Sequence, residues 1–456
     1  MHNHEQEAAI MKRFGVSNLP AASEYTLPQT EVTPSFYVVS ALLSQGKTFD
    51  VAASYLSPTI ENNTNRFELD FSDSIPEEVF TICKLVSSLG GRALLVGGCI
   101  RDLLYSDITT TKITPKDFDL EIYGLDFDTV TRMLITAFPN NKCEFKGKSF
   151  GVTKLYFDGL AEPLDIAIPR TEVSTGEKHT DFETVMNPQL DFIDGARRRD
   201  LRFNSITYDP LTKTIYDPFL GLLDLQQKEI NVTDPETFIE DPLRVLRIMQ
   251  FAARFEMTPT NETVSLCTRM VAEGKLDHLA AERVRDELKK LLIKGTKPSI
   301  GLRFIQEIGY LERYWPELQA LVGTPQHQNF HPEGDVWEHT LQAVDAATLI
   351  CEREHLPADK KLTVMLTILL HDVGKPATTT LDENGYYRAF GHEEAGVEPT
   401  LAVLQRLMFE NKTQKEVAAL LPRHMIIPSL YKNHLNGTSS DTALRRLSRK
   451  LWKEAE

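Results

Sequence analysis

Residues 94–124 read LLVGGCIRDLLYSDITTTKITPKDFDLEIYG, and the order of residue types in this stretch decides the fold of the first half of the chain. The apolar run Leu94-Leu95-Val96 ends at Gly97-Gly98, which predicts a strand that stops in a tight turn. Lacking β-carbons, the two glycines let backbone amides approach a phosphate, and Arg101 on the helix that follows can add a charge-assisted contact. Asp117 and Asp119 stand two apart in DFDLEIY, so on a strand both carboxylates leave one face while Phe118 turns into the core. Two carboxylates on a rigid strand suit Mg²⁺, which prefers oxygen ligands and commonly bridges protein carboxylates to phosphates. Asp165, in the strand-like LDIAIPR, is a third candidate that would complete a two-metal arrangement for in-line phosphoryl transfer. A Gly-Gly alone is ordinarily just a turn and a lone Asp-x-Asp a solvated strand end; their order, with Arg101 between them and Asp165 downstream, points to chemistry.

Outward from this stretch, short β-rich runs (VTKLYFDG, PLDIAIPR, NSITYDP, KTIYDPF) alternate with helical ones such as EEVFTICKLVSSLG and DFDTVTRMLITAF. The alternation predicts an α/β or α+β layer domain over 73–232. Residues 1–72 are polar, carry no motif and are read as a leader of unknown role. From 233 the β signals fade into helical patterns (DPLRVLRIMQFAARF, ERVRDELKKLLI, SIGLRFIQEIGYLERYW), giving an all-α segment over 233–325. Prolines at 316, 325 and 332 mark a junction to a second all-α unit over 326–456.

Composition narrows the function classes. At 456 residues the chain exceeds what one core usually organises, so several domains are expected. No apolar run approaches about 18 residues, so no membrane span or membrane partner is expected. The N-terminus does not read as a secretory signal, and the five cysteines are scattered without a C-x-x-C, which together suggest reduced thiols in the cytoplasm. A formal charge of −15 gives no whole-chain attraction for a polyanion, so a nucleic-acid partner needs local patches such as ARRRDLR (196–202), RVRDELKKLLIKGTK (283–297) and LRRLSRK (444–450). Nothing in the sequence sets an oligomeric state.

A second constellation lies in the last unit. HPEGDVWEHTLQAVD, LLHDVGK, FGHEEAG and PRHM place His339, His371, Asp372, His392 and His424 in order. Imidazoles mixed with a carboxylate suit a divalent transition metal that activates water for phosphoester hydrolysis, although a lone His on such helices is most often structural.

GGCIRDLL and KDFDLEIYGL closely resemble the first motif of the bacterial tRNA nucleotidyltransferase (CCA-adding) and poly(A) polymerase family. The likeness continues in order through RRRDLRFNSITYDP (197–210), YDPFLGLLDLQQKEI (216–230), EDPLRVLRIMQFAARF (240–255) and ERVRDELKKLL (282–292). It implies the α+β form of the first domain, a polymerase-β-like palm of mixed sheet with helices, followed by an all-α neck and body, with Mg²⁺, ATP, CTP and tRNA as cofactor, substrates and partner. By motif position it implies that Gly97, Gly98 and Arg101 hold the triphosphate, that Asp117, Asp119 and Asp165 are catalytic, and that Arg199 and Asp200, with Asn204 nearby, contact the ribose. Glu240, Asp241, Arg244 and Arg247 would form an amino-acid template for the base. Carboxylate acceptors and guanidinium donors can mimic a Watson-Crick edge, and both C and A offer an amino donor and a ring-nitrogen acceptor. On helical spacing Glu240, Arg244, Arg247 and Arg254 share one polar arc; equally, Asp241 before Pro242 is a standard helix start, and Glu240 with Arg244 a surface pair. This sequence departs from the family in a longer loop between Gly98 and Asp117, in Leu201-Arg202 for Phe-Thr, and in Gln250 where many relatives carry Arg. The histidine set resembles an HD-domain phosphohydrolase, many of which end with a further metal-binding Asp; here the only later one is Asp441. The ending SSDTALRRLSRKLWKEAE reads as the start of a helical segment that longer relatives continue, implying a shortened tail. Poly(A) polymerase, and an RNA-binding or HD phosphohydrolase protein with a silent transferase site, are the rival expectations.

Overall fold

A computed structural model describes residues 65–109, 112–146, 151–174, 182–436 and 441–455; most of the leader lies outside these. The chain divides between Glu240 and Asp241 into two compact units.

The first unit is built on an eight-stranded sheet ordered β1-β10-β9-β2-β3-β6-β5-β4. Its strands are β1 (Arg66–Glu68), β2 (Arg92–Val96), β3 (Asp119–Tyr123), β4 (Cys143–Lys146), β5 (Val152–Leu155), β6 (Leu164–Ala167), β9 (Thr207–Asp209) and β10 (Thr214–Tyr216). A separate ladder pairs β7 (Arg170–Ser174) with β8 (Phe182–Met186). β1 falls inside the stretch assigned to the leader, yet it pairs with β10, so the sheet begins before residue 73. β2 is central because its last four residues are all buried, as an apolar strand covered on both faces requires. β3 alternates instead, with Leu120 and Ile122 fully buried and Asp119 and Glu121 half-buried. β3 and β6 run parallel with Asp119 opposite Asp165; the other neighbours in the sheet are antiparallel. The register continues to Lys154 opposite Asp165 and Val96 opposite Asp119. One row across four strands therefore reads Lys154, Asp165, Asp119, Val96, and the chain leaves Val96 directly into Gly97-Gly98. Helix α1 (Gly98–Ile108) follows the turn.

The second unit is mostly helical, as expected, with one hairpin of Thr379–Leu381 and Tyr387–Ala389 that the sequence pattern did not show. Its principal helices here are α2 (Arg244–Phe255), α3 (Ala281–Lys294), α4 (Pro298–Glu307) and α5 (Val336–Arg353). The SIGLRFIQEIGYLERYW stretch, read as one helix, breaks at Gly309, whose φ of 76° only glycine adopts readily. Gly301 on α4 is a close-approach position: a β-carbon there would stand 2.2 Å from the Met249 carbonyl oxygen of α2. The other side of α4 holds α5 through residues spaced three and four apart. Ser299 donates from N and Oγ to Asp345 (2.9 and 2.6 Å), Arg303 forks onto Glu338, and Gln306 accepts from Trp337 Nε1 at 2.6 Å. Asp335 caps α5 by accepting from Glu338 N at 2.8 Å, worth about 1 kcal/mol for such a cap. No helix among the described residues is long and apolar enough to cross a membrane.

In the first unit a buried carboxylate shapes the turn after β10. Asp217 accepts from Gly221 N (2.7 Å) and Leu222 N (2.9 Å), and burial pushes its pKa from 3.8 to about 6 against those two donors. The folded protein thus takes up this proton near pH 6 and the unfolded chain only near 4. The contribution to stability is fully present below about 4 and is lost as pH rises through about 6. Denaturant titrations of wild type and Asp217→Asn are expected to show wild type losing stability relative to the variant between pH 4.5 and 7. Parallel pH curves would refute this.

Candidate functional site

The first candidate site follows from the cross-strand row. Asp119 and Asp165 occupy facing positions on strands about 4.8 Å apart, and Asp117 sits just before β3 with Phe118 buried between the two aspartates. Burial first, then the Asp165 and Asp117 charges, pushes the Asp119 carboxyl up to about 6, while Arg199 and Lys154 oppose the rise. Lys154 grips Asp165 at 2.7 and 2.8 Å. Gly97 has φ 77°, and a β-carbon on it would lie 3.5 Å from both Asp119 Oδ2 and Arg199 Nη1. The bare turn therefore opens directly beside the carboxylate, and crowded, partly desolvated oxygens of this kind are the donor set a hard divalent cation fits.

Three of the expected contact residues also have protein partners. Arg101 is on α1 as expected, but it is buried, bonded to Asp102 (2.8 Å) and Asn204 (2.7 Å), with Nη2 3.3 Å from where a Gly98 β-carbon would be. Its guanidinium thus braces the turn from within, alongside the phosphate contact expected of it. Asp200 and Asn204 belong to the same buried chain: Asp200 Oδ1 accepts from Asn204 Nδ2 and from Leu201 N, both at 2.9 Å. Arg199 is the more exposed guanidinium and stands 3.5 Å from Glu121 on β3.

α2 starts at Arg244, so Glu240, the last residue of the first unit, and Asp241, the first of the second, lie in the turn before it. The expected polar arc therefore holds only for residues from Arg244 onward, because Pro242 prevents helical continuation through Glu240. Asp241 accepts from Leu243 N at 3.1 Å and pairs with Arg283 of α3 at 3.0 Å. Arg244 and Arg247 are half-buried on α2, and Gln250, the departure from the family, is fully buried, where an unpaired arginine would be costly.

The second candidate site brings together all five residues that the sequence singled out. Asp372, 1% exposed, faces Nε2 of His371 (3.1 Å), His392 (3.3 Å), His339 (3.8 Å) and His424 (4.0 Å). The Nδ1 atoms are all turned outward onto oxygens: Ile368 O, Ala389 O and Leu421 O at 2.7 Å for His371, His392 and His424, and Glu333 Oε1 at 2.7 Å for His339. An acceptor beside each Nδ1 favours the tautomer protonated there, in which the four Nε2 atoms point inward as available ligand atoms, the arrangement in which histidines ligate metals. His392 and His424 present Nε2 to Nε2 at 3.1 Å, and neither Asp372 oxygen receives a well-aligned hydrogen bond, although Lys375 Nζ stands 2.7 Å from Oδ2. The set fits a divalent transition metal. Burial chiefly lowers the His339 and His424 pKa values, which favours their neutral form, whereas His392 is raised against burial by Asp372 and the Ala389 carbonyl. Asp441 opens the helix Asp441–Ala455; its side chain is outside those described.

Sequence reasoning passed over Glu121, Lys154, Glu333, His331 and Lys375. Glu121 continues the two-residue alternation of Asp117 and Asp119 and was readable on that ground. Lys154 was not, because it reaches Asp165 only through strand register. Glu333 reads as a surface acid in the sequence, yet it binds both His339 and His331, the latter at 2.9 Å.

Three family models match: the poly A polymerase head domain over 93–231, the probable RNA and SrmB-binding site of polymerase A over 256–321, and the HD domain over 336–449. The multifunctional CCA protein of Pasteurella multocida (strain Pm70) is 32% identical over 366 residues, 79% of this chain and 80% of that protein. That of Methylobacillus flagellatus is 36% identical over 73% of each chain. The Halorhodospira halophila protein of the same name is 39% identical, but the match spans 57% of this chain and 60% of that one. Among solved structures, a CCA-adding enzyme (apo form II) aligns with TM-score 0.56 at 19% identity, covering 85% of this chain and 80% of that one. The Thermotoga maritima CCA-adding enzyme complexed with tRNA aligns with TM-score 0.51 at 20% identity, covering 79% and 72%. At these identities the structural likeness bears on the fold.

If the imidazoles ligate, metal retention follows the geometry. After equilibration with Ni²⁺ or Co²⁺ and dialysis, elemental analysis is expected to find metal in wild type and none in His371→Ala or Asp372→Asn. Glu333→Gln, which loosens His339, should weaken affinity about 10- to 100-fold with unchanged circular dichroism. Wild-type affinity in Glu333→Gln would remove its role in orienting His339.

Proposed function

The chain belongs to the family of multifunctional CCA proteins, and on that premise we propose that it is an ATP/CTP:tRNA nucleotidyltransferase that builds or repairs the 3′-terminal CCA of tRNA. The observation that carries the proposal is the row in which Asp119 faces Asp165 beside the bare Gly97 turn. The terminal hydroxyl of the tRNA attacks the α-phosphorus of the incoming nucleotide, a new P–O bond forms, and the bond to the bridging oxygen breaks to release pyrophosphate. Mg²⁺ held by Asp117 and Asp119, with Asp165 beside them, would offset charge developing on the phosphoryl oxygens. The glycine turn admits the triphosphate, Arg101 with Asn204 and Asp200 holds that turn rigid, and Arg199 adds positive charge next to the carboxylates. Positioning of this kind supplies much of the rate in phosphoryl transfer. We assign base reading to Asp241 and Arg244, with Glu240 and Arg247 as supporting residues, on their motif positions and donor-acceptor chemistry.

The palm is taken as 73–232 with β1 added, the neck and body as 233–325, and the HD segment as 326–456. We further propose that the HD segment is a phosphohydrolase using a divalent transition metal, on the strength of its four inward Nε2 atoms. The five cysteines, all unpaired, agree with a reducing cytoplasmic setting. Poly(A) polymerase and a silent transferase are not favoured, since the relatives carry the CCA name and the acidic row is intact.

The decisive assay supplies Mg²⁺, tRNA transcripts ending before the CCA, after C or after CC, and each nucleotide separately. Stepwise addition of C, C and A is expected; incorporation of A alone onto every end would favour poly(A) synthesis. Asp119→Ala and Asp117→Ala are expected to abolish incorporation with the fold intact. Retention of more than about a tenth of wild-type turnover, a loss under about 1.4 kcal/mol, would sink the metal assignment. Asp241→Ala should lose discrimination against UTP and GTP. Loss of thermal stability alone, with base preference kept, would assign Asp241 to the helix start and to Arg283.

A further inference from the structure

Three aromatic rings stand together beside the histidine cluster and have no part in it. His327 stacks on Tyr386 with centroids 4.4 Å apart and planes 10° from parallel, and Phe330 leans on His327 at 4.7 Å. Phe330 is 70% exposed and Tyr386 41%. A further bare ring, Phe390, is 82% exposed two residues before His392. Large rings left this open in one neighbourhood mark a binding surface more often than an accident.

The segment that carries His327 and Phe330 is held in place. Its ends close where Val336 N donates to Thr324 O (3.0 Å) and Gly323 N to Asp335 Oδ2 (2.6 Å), as in a compact surface loop. Its turn is set by Phe330 N and His331 N, which both donate to His327 O (3.0 and 2.9 Å). Two side chains pin it to the cluster from either side of the rings. Gln326 Oε1 accepts from Lys375 Nζ at 2.6 Å, and Lys375 also contacts Asp372; Glu333 accepts from His339. The ring-bearing residues of the loop therefore lie between Glu333, which holds the candidate ligand His339, and Gln326, which reaches Asp372 through Lys375; His331, next to Phe330, packs on His339 with centroids 4.8 Å apart, so the exposed rings sit at the edge of that site.

Resting on the phosphohydrolase reading of the HD segment, we infer that His327, Phe330 and Tyr386 form a ledge on which the nucleobase of a substrate stacks while its phosphoester lies at the Asp372 cluster. A stacked platform recognises any base through its π face and adds about 1–3 kcal/mol per base in single-stranded nucleic-acid binding. It reads little of base identity, because stacking engages the π face that every base presents. The site is thereby built for nucleotides as a class over phosphoesters that lack a base.

The full chain loaded with Ni²⁺, Co²⁺ or Mn²⁺ is offered cytidine 2′,3′-cyclic phosphate and its base-free counterpart, 1-O-methylribose 2′,3′-cyclic phosphate. Wild type is expected to prefer the nucleotide by about tenfold in kcat/KM. Phe330→Ala should erase the preference through KM with kcat unchanged, Phe330→Trp should restore it, and CCA addition should be untouched in both. Equal kcat/KM for the two substrates in wild type, or an equal loss on both in Phe330→Ala, would overturn the ledge. If neither substrate is hydrolysed with any metal, the phosphohydrolase reading fails by itself. The ledge is then judged by titrating cytidine 2′-monophosphate, whose affinity must fall about tenfold in Phe330→Ala and recover in Phe330→Trp; unchanged affinity overturns it. A change of oligomeric state in Phe330→Ala in place of a KM effect would assign the rings to contact between copies and likewise overturn it.

Discussion

The parallel pairing of β3 with β6 places two carboxylates opposite each other, and the rest of the first unit is arranged around that unfavourable fact. Antiparallel neighbours would be easier to reach along the chain, since parallel strands need a long crossover. Here the crossover is the whole segment from Gly124 to Pro163, and its return sets Asp165 beside Asp119. The resulting negative charge is only partly offset. Lys154 neutralises Asp165 from the next strand, while Asp119 keeps a carboxyl pKa raised to about 6 despite Arg199 nearby. A rigid sheet that holds charge in this state is predisposed to take up a cation, and the same register delivers Gly97 to the carboxylate's edge. The acidic pair and the bare turn are thus two consequences of how β3 is paired on its two sides, with β6 and with β2.

The histidine centre solves a different problem with the opposite chemistry. Its single buried carboxylate is surrounded by cationic or polarisable partners, so Asp372 sits well below the usual carboxylate range: burial opposes this, and contacts with His371, His392 and Lys375 prevail. Backbone carbonyls rather than side chains fix three of the four imidazoles, which ties their orientation to the end of one helix, the end of a hairpin strand and a short helical turn. His339 is the exception, since Glu333 holds it from a loop. Oxygen-rich and nitrogen-rich donor sets favour different metals, so one chain can present two centres without competition for a common ion.

Much of this was legible because it is local. The strand, turn and helix around Gly97, the placement of Phe118 in the core, and the ordered histidines all follow from periodicity and residue chemistry within a few positions. What escaped depends on distance in sequence. Lys154 becomes relevant only when register sets it opposite Asp165. The charge of Arg101 was readable in the sequence, but its burial against Asp102 and Asn204 was not, because Asn204 lies far along the chain. β1 was missed because three residues in polar surroundings carry too little pattern to stand out, and the hairpin at 379–389 because its strands are equally short. Glu240 was drawn into a helical arc that Pro242 interrupts, a case where local punctuation outweighed spacing.

The bracing of the second unit explains why a helix with no chemical residue of its own matters to both of its functional helices. α4 meets α2 at Gly301, where the absence of a β-carbon lets the backbones approach, and it meets α5 through Ser299, Arg303 and Gln306. The first contact depends on shape alone and the second on three directional bonds, so α4 is fixed in position by one neighbour and in rotation by the other. Glu338, the partner of Arg303, is followed at once by His339, and Trp337 precedes it. The ligand histidine of α5 is therefore oriented from two directions: its ring by Glu333 and its backbone by bonds that originate on α4. The helix carrying Arg244 and Arg247 packs against the same brace, which makes α4 the shared support of the residues proposed to read the base and of His339, the first candidate ligand of the histidine centre.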